Sequence, residues 1–398
     1  MTKIYSVYNI LCKVLIFLFP LVLFLPQQFY RNLYVSIPFW IVIGLGIFLL
    51  PAACIDIKRV WKGALFRAFV VYLVCLEIVV IFSTNIIISM PVLFLNMAYF
   101  SIFLAGGGIL RSQAIKESFA ATLILVVFVL SLISFYNTVI ERYSNVSSEG
   151  LSFMWGYFGH NHLAVLLILI IPMNVFFIWF CRNKLLIWLY SLVLVFSLCS
   201  LLIAFSRGAI IALVLSLLSG SIFFRRTLPY KKIVRTGIVW VILIFFITFS
   251  GFLLFNLKAS SSFYTRSLLW QKSIEMFKEK YFFGFGPVTF SVTRFGSYAS
   301  NKGAFYVHNI LLQSLAEGGV VLFFGNIYLF GALLINVSLY LNRIEEIEAR
   351  ALGVFLWIGL FGVFINEMVD FDMQLPVCSA LFWLISSFVY SSQSRVKF

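Results

Sequence analysis

Charge is what this sequence has least of. Only 11% of its 398 residues are charged, 63% are hydrophobic, and the mean hydropathy is +1.06. A soluble core needs far more surface charge than this, so a soluble globular fold is excluded. Hydrophobic alternation is also missing. The apolar runs are continuous and close to the ~20 residues that cross a bilayer, which favours a polytopic helical membrane protein over a β-barrel. Acids are scarcer than bases, 14 against 29, for a formal net charge of +15. Most of the Lys and Arg lie in short links between apolar runs, the pattern that orients a membrane protein, so nucleic acid is not the expected partner. Six cysteines are present. None falls in the two sizeable outer loops, which excludes a structural disulfide there, and no metal-type spacing occurs. There is no phosphate-cradling Gly-rich loop and no G-x-S-x-G, which argues against an ATP-driven pump and a serine hydrolase. The first apolar run lacks a small-residue cleavage site and reads as a retained span.

What is present is a series of twelve predicted spans: 8–25, 33–51, 68–83, 86–106, 118–137, 163–180, 185–204, 208–224, 236–255, 318–341, 351–369 and 373–390. Three regions follow: 1–255 with nine spans and short links, a long loop over 256–317, and 318–398 with three more spans. One set of links holds Lys58, Arg59, Lys62 and Arg67; Arg111 and Lys116; Arg182 and Lys184; Arg225, Arg226, Lys231, Lys232 and Arg235; Arg343 and Arg350; Arg395 and Lys397. The alternate short links hold only Arg31, Arg142 and Arg207. Positive charge marks the cytoplasmic side, so both termini are expected inside. By parity Arg207, Arg266 and all three histidines, His160, His162 and His308, face outward.

The long loop cannot sit in lipid. Thr265 is placed to N-cap a helix. Trp270, Ile274, Phe277 and Tyr281 then fall on one apolar stripe, with Arg266 one turn before Trp270. Lys272, Glu275 and Glu279 take the other side. Gly284, Gly286 and Pro287 end the helix, and a second helix is expected to start near His308 and run through Glu317 into the tenth span.

Each candidate residue carries a bland reading beside a functional one. Arg207, in FSRGA at the tip of an apolar hairpin, is either a snorkelling interfacial arginine or an anion ligand at the membrane surface. Arg266 is either a solvated charge or a phosphate ligand whose planar fork matches phosphate oxygens. His308 is either a helix-starting polar residue or the group that takes a proton near neutral pH, with Asn309 or Glu317 to orient it. Glu317 has pairing with an arginine as its other reading. His160-Asn161-His162 resembles a metal motif, but residues i and i+2 of a helix point apart. It reads as a polar helix start that touches a substrate sugar or phosphate at most. Asp370-Phe371-Asp372 resembles the D-x-D of metal-dependent sugar-nucleotide transferases. At an outer turn, charge pairing with an outer arginine suits it better.

Three segments, in order, resemble the O-antigen ligase family, which lies in a wider set with O-antigen polymerases and protein O-oligosaccharyltransferases. FSRGA (Phe205 to Ala209) is similar to the family's S-R-G turn. RSLLWQKSIEMFKEKYFFGFGPVTF (Arg266 to Phe290) is similar to its arginine, helix and G-x-G segment. VHNILLQSLAEGG (Val307 to Gly319) is similar to its H-N and E-x-G helix, and GHNHLA (Gly159 to Ala164) to a further polar helix start in some members. The resemblance implies an all-α membrane glycosyltransferase of the GT-C-like type in the bacterial inner membrane, with its active site toward the periplasm. It implies a metal-independent enzyme with no cofactor, a glycan donor on undecaprenyl pyrophosphate, and lipid A-core as acceptor. Arg207, Arg266 and His308 take the catalytic positions. Asn309, Glu317, Trp270, His160 and His162 are the substrate-binding candidates. A polymerase using the same donor is the alternative. A lipid-linked oligosaccharide flippase or other transporter is a second, but it predicts charge spread through the spans. Here the spans are nearly charge-free, with Lys13 and Glu77 the main exceptions.

Overall fold

The computed structural model describes residues 2–25, 36–61, 63–144, 160–204, 206–224, 260–293, 295 and 306–393. Among them the regular elements are all helical. In chain order they are α1 (Thr2–Leu18), α2 (Ile37–Val60), α3 (Ala64–Ile81), α4 (Ile86–Ile109), α5 (Gln113–Ser144) and α6 (His160–Phe180). There follow α7 (Lys184–Ile203), α8 (Arg207–Phe223), α9 (Ser260–Glu279), α10 (Ile310–Leu341), α11 (Ile347–Asn366) and α12 (Pro376–Gln393), with short 3-10 turns at Phe19–Phe24, Phe290–Val292 and Asp372–Gln374. Nine of the described helices are long and apolar enough to cross a membrane, and Arg207–Phe223 and Pro376–Phe388 are shorter apolar helices. The predicted span 236–255 lies outside the described residues, as do the basic cluster 225–235 and Arg31.

Polar caps start several of these helices. Ser36 accepts from the Phe39 amide (3.4 Å), Asn85 from Ile88 (3.3 Å) and Asn183 from Leu185 (2.9 Å). Each satisfies one of the amides that the first helical turn leaves without a partner. Between such caps the helices are apolar around most of their circumference, as helices packed between protein and lipid must be.

The chain divides into two compact units. The first comprises Met1–Ser112, Ser260–Val337 and Glu367–Phe398. In it α2, α3 and α12 pack on α4. Its aromatic centre is Phe69, whose ring lies 4.8 Å from Phe100, 5.8 Å from Phe103 and 4.6 Å from Trp383. The second comprises Gln113–Ala259 and Ser338–Asn366, with α6 packed on α7 and α11, and α11 on α8. Phe176 meets Phe355 there, and Trp357 packs against Phe223 and Phe224.

Two expectations about the long loop need correction. Helix α9 begins at Ser260, so Thr265 is not its N-cap. Its buried line is Leu269, Ser273 and Met276, while Ile274 and Tyr281 are exposed. Arg266 stands one turn before Leu269 on this buried line, so it still shares the packed face, rotated from the stripe read in the sequence.

Candidate active site in the first unit

The site rests on a turn locked to a broken helix. Helix α10 starts at Ile310 but breaks at Gly319, where φ is 59° and ψ is −159°. A break exposes the amides of the next turn. Here the Val320 and Val321 amides donate to the carbonyls of Tyr281 and Phe282, at 2.8 and 3.3 Å, in the turn that follows α9. A Cβ on Gly319 would lie 2.4 Å from each of those oxygens, so this approach requires glycine. From the other side, the Gly286 amide donates to the Glu317 carbonyl at 2.7 Å. The Glu317 carboxylate accepts from the Val288 and Phe290 amides at 2.9 and 3.0 Å. Below the turn, Leu269, Met276, Phe285, Phe290, Val307 and Ala316 form a small hydrophobic core, with Trp270 and Leu312 against it.

Glu317 is therefore the brace of the G-x-G turn. It is 5% exposed, and the bonds to Val288 and Phe290 occupy one oxygen each. Among the described residues its carboxylate bonds to neither His308 nor an arginine. Trp270 belongs to the packing under the site.

Asn309 caps α10, its Oδ1 accepting from the Leu311 and Leu312 amides at 3.0 and 2.9 Å. Its Nδ2 donates to the Met368 carbonyl at 2.8 Å. The Ile310 amide donates to the Glu367 carbonyl at 2.9 Å, and the Val307 amide to Gln313 Oε1 at 2.8 Å. His308, held between these ties, has a φ of 57°, one of two non-glycine residues with positive φ among the described ones. Such a conformation costs of order 1–3 kcal/mol and persists where the surroundings over-determine it, often at functional sites.

Those ties set His308 beside Asp370. His308 Nδ1 lies 3.2 Å from Asp370 Oδ1, and Arg266 Nη2 lies 3.5 Å from Asp370 Oδ2. The Asp370 side chain is 2% exposed, while those of Arg266 and His308 are 22% and 19% exposed. The buried carboxylate thus faces two partly open cationic or proton-accepting groups. With Nδ1–H donating to Asp370, the imidazole presents its Nε2 lone pair as a base. The His308 ring stands edge-on to Phe371, with centroids 4.5 Å apart, and Tyr306 stacks on the same ring at 5.0 Å. The pairing of Asp370 with an outer arginine, read from charge balance, is present with Arg266. Its contact with His308 was not foreseen, and 62 residues of sequence separate the two. Behind Asp370, Glu367 is buried and accepts from the Met373 amide at 3.0 Å. Burial, then the neighbouring Asp372 and Asp370 charges, push its carboxyl well above the usual range.

The second unit holds the other candidates. Arg207 is the first residue of α8 and its neighbour Ser206 is buried. His160 opens α6, and His162, two residues on in the same turn, is buried.

By its fold the protein is a multi-pass helical membrane protein, and a His–Asp–Arg group marks a helix start in its first unit. Residues 192–327, less than half of the chain, match the family model described as O-antigen ligase. The stretch includes Arg207, Arg266, Trp270, His308, Asn309 and Glu317; His160, His162 and Asp370 lie outside it. No curated protein matches the sequence. The family domain supports a ligase- or polymerase-type transferase acting on lipid-linked glycans.

Proposed function

We propose that the protein is an O-antigen ligase of the bacterial inner membrane. It transfers polysaccharide from undecaprenyl pyrophosphate to lipid A-core on the periplasmic face. The observation that carries the mechanism is the bridge from His308 through Asp370 to Arg266. His308 Nε2 takes the proton of an acceptor-sugar hydroxyl. The hydroxyl oxygen attacks the anomeric carbon, the bond to the pyrophosphate oxygen breaks, and its electron pair leaves with the diphosphate. Attack opposite the leaving group inverts the anomeric centre.

Asp370 has two parts in this scheme. It fixes the His308 tautomer and stabilises the imidazolium that forms. It also holds Arg266 in place. The guanidinium answers the charge growing on the leaving diphosphate, and Arg207 keeps, on the family resemblance alone, an anion-ligand role. The sugar–phosphate bond supplies the driving force, so no ATP enters the scheme.

Deletion of the gene tests this reading. A ligase leaves polymer on the carrier lipid and none on lipid A-core. A single repeat unit on the core assigns a polymerase, and an unchanged surface with a transport defect assigns a transporter. Complementation with Arg207→Ala, Arg266→Ala or His308→Ala should give membrane-inserted protein and no ligated polymer. Normal surface polysaccharide with any of them removes that residue from the mechanism.

A further inference from the structure

The turn after α9 belongs to the long segment read as unsuited to lipid, yet its neighbours place it at the edge of the bilayer. Three apolar helices meet it. Thr84, in the link between α3 and α4, donates to the Phe285 carbonyl through its amide at 2.8 Å and its hydroxyl at 2.7 Å. Ser89, in the first turn of α4, donates through Oγ to the Pro287 carbonyl at 2.9 Å. The third helix is α10, whose Val320 and Val321 amides hold the Tyr281 and Phe282 carbonyls. At 1.5 Å per residue all 32 residues of α10 would run ~48 Å, well beyond the ~30 Å of hydrocarbon, whereas 320–341 alone runs ~33 Å. The break at Gly319 thus marks the membrane boundary, and the 281–282 carbonyls lie at its level.

The side chains at that level are apolar and open. Phe282 is 69% exposed, Phe82 55% and Tyr281 53%. Phe82 follows the last residue of α3 and stacks on Phe283, with centroids 4.4 Å apart, so span end and turn share one aromatic surface. Ile81 at the end of α3 and Phe324, one turn past Val320 in α10, are exposed as well. Large apolar groups left open along a membrane span face lipid, and Tyr281 and Phe282 carry that face past the span ends. Lys278 is exposed one turn before Phe282, and its long stem lets the ammonium reach the headgroups. Aromatic rings with cationic neighbours are the residues that settle at this depth.

The backbone meets the same condition. Irregular backbone is tolerated at membrane depth only where protein satisfies its polar groups. Here the Lys280 carbonyl accepts from the Gly284 amide at 3.2 Å, and the Tyr281, Phe282, Phe285 and Pro287 carbonyls accept from α10, α4 and the link before it. A turn standing in water has no such need.

We infer that the 281–283 turn is an interfacial anchor, with Tyr281 and Phe282 inserted at the boundary between phospholipid headgroups and hydrocarbon. The partner is a phospholipid surface rather than a second protein, because the patch joins the exposed faces of α3 and α10. The anchor fixes the depth of the turn that Glu317 braces. It thereby sets the height of the His308 loop, since the first half of α10 separates Ile310 from Val320 by ~15 Å at most. This goes beyond the transferase reading and holds whatever the site transfers.

The test uses full-length protein in phospholipid nanodiscs, with photo-crosslinking p-benzoylphenylalanine in place of Tyr281 or of Phe282. The same group in place of Ile335, which is exposed within the span of α10, sets the yield of full lipid contact. After irradiation, intact mass should show one added phospholipid at 281 or 282 with at least about a third of the Ile335 yield. Each replacement puts an aromatic where an aromatic stood, and the two positions are tested separately, so one folded variant suffices. A lower lipid yield at both, whether they stay unlabelled or crosslink to this chain or a second copy, overturns the anchor. The readout needs no transfer, so failure of the transferase reading leaves it standing.

Discussion

Replacing Asp370 with Asn keeps the shape of the side chain and removes its charge. In the wild type the carboxylate stands 3.2 Å from His308 Nδ1 and is 2% exposed, so solvent screens the pair little. Two unit charges about 4 Å apart interact by roughly 4 kcal/mol at an effective dielectric near 20. The imidazolium that forms as the acceptor hydroxyl loses its proton would forfeit an interaction of that order. At ~1.4 kcal/mol per decade this is about a thousandfold in kcat, within the 10²–10⁴ that general-base catalysis contributes. The Asn amide can also donate to Nδ1, which moves the ring proton to Nε2 and takes away the base. The assay is single-turnover transfer of a radiolabelled glycan from its carrier lipid by protein in nanodiscs. Asp370→Asn should lose about a thousandfold in rate with donor KM little changed. The losses in the Asp370→Asn/His308→Ala double variant should be far from additive, because His308 and Asp370 act as one unit, and any loss beyond His308→Ala alone measures the part Asp370 plays through Arg266. A rate within threefold of wild type, or a loss confined to KM, would refute the assigned role.

Three further outcomes follow from the brace and the buried acids. Glu317→Ala leaves the Val288 and Phe290 amides without their acceptor; about 2–4 kcal/mol of stability and most activity should be lost, read by thermal unfolding in nanodiscs. Gly319→Ala puts a Cβ 2.4 Å from the Tyr281 and Phe282 oxygens at a φ of 59°, so it should expose the 280–290 turn to hydrogen exchange, while Gly331→Ala, with open space around it, should not. Glu367 has a raised carboxyl pKa in the folded state, so its contribution is complete below the unfolded value of ~4.3 and declines as pH rises toward the folded one. Glu367→Gln should remove that decline, matching wild type in melting temperature near pH 4 and exceeding it at pH 8; equal slopes in both proteins would contradict a buried neutral Glu367.

Hydropathy made the helices legible, because a long apolar run has few other uses in a chain with so little charge. Arg266 and His308 stood out for the same reason: polar, chemistry-bearing residues are rare here, and these two sit in the one long segment unsuited to lipid. The partner between them was harder to read. Asp370 lies 62 residues from His308 and 104 from Arg266, and no local pattern links such distant positions. The bracing bonds of Glu317 were not legible, because sequence cannot show that α10 breaks at Gly319 and needs its neighbour to hold a turn. That break was visible only as paired glycines, Gly318-Gly319, which read equally well as part of a continuous helix. The burial of α9 was misjudged by one position. Leu269 and Trp270 are adjacent apolar residues, and periodicity alone does not choose between the stripes they begin.

The central claim is that His308, oriented by Asp370, deprotonates an acceptor hydroxyl while Arg266 holds the departing diphosphate. Its most direct measurement is transfer by purified protein from an undecaprenyl-pyrophosphate glycan to lipid A-core. The wild type should form ligated product of inverted anomeric configuration together with free undecaprenyl pyrophosphate, and His308→Ala should form neither. Product of retained configuration, or undiminished product from His308→Ala, would contradict the account.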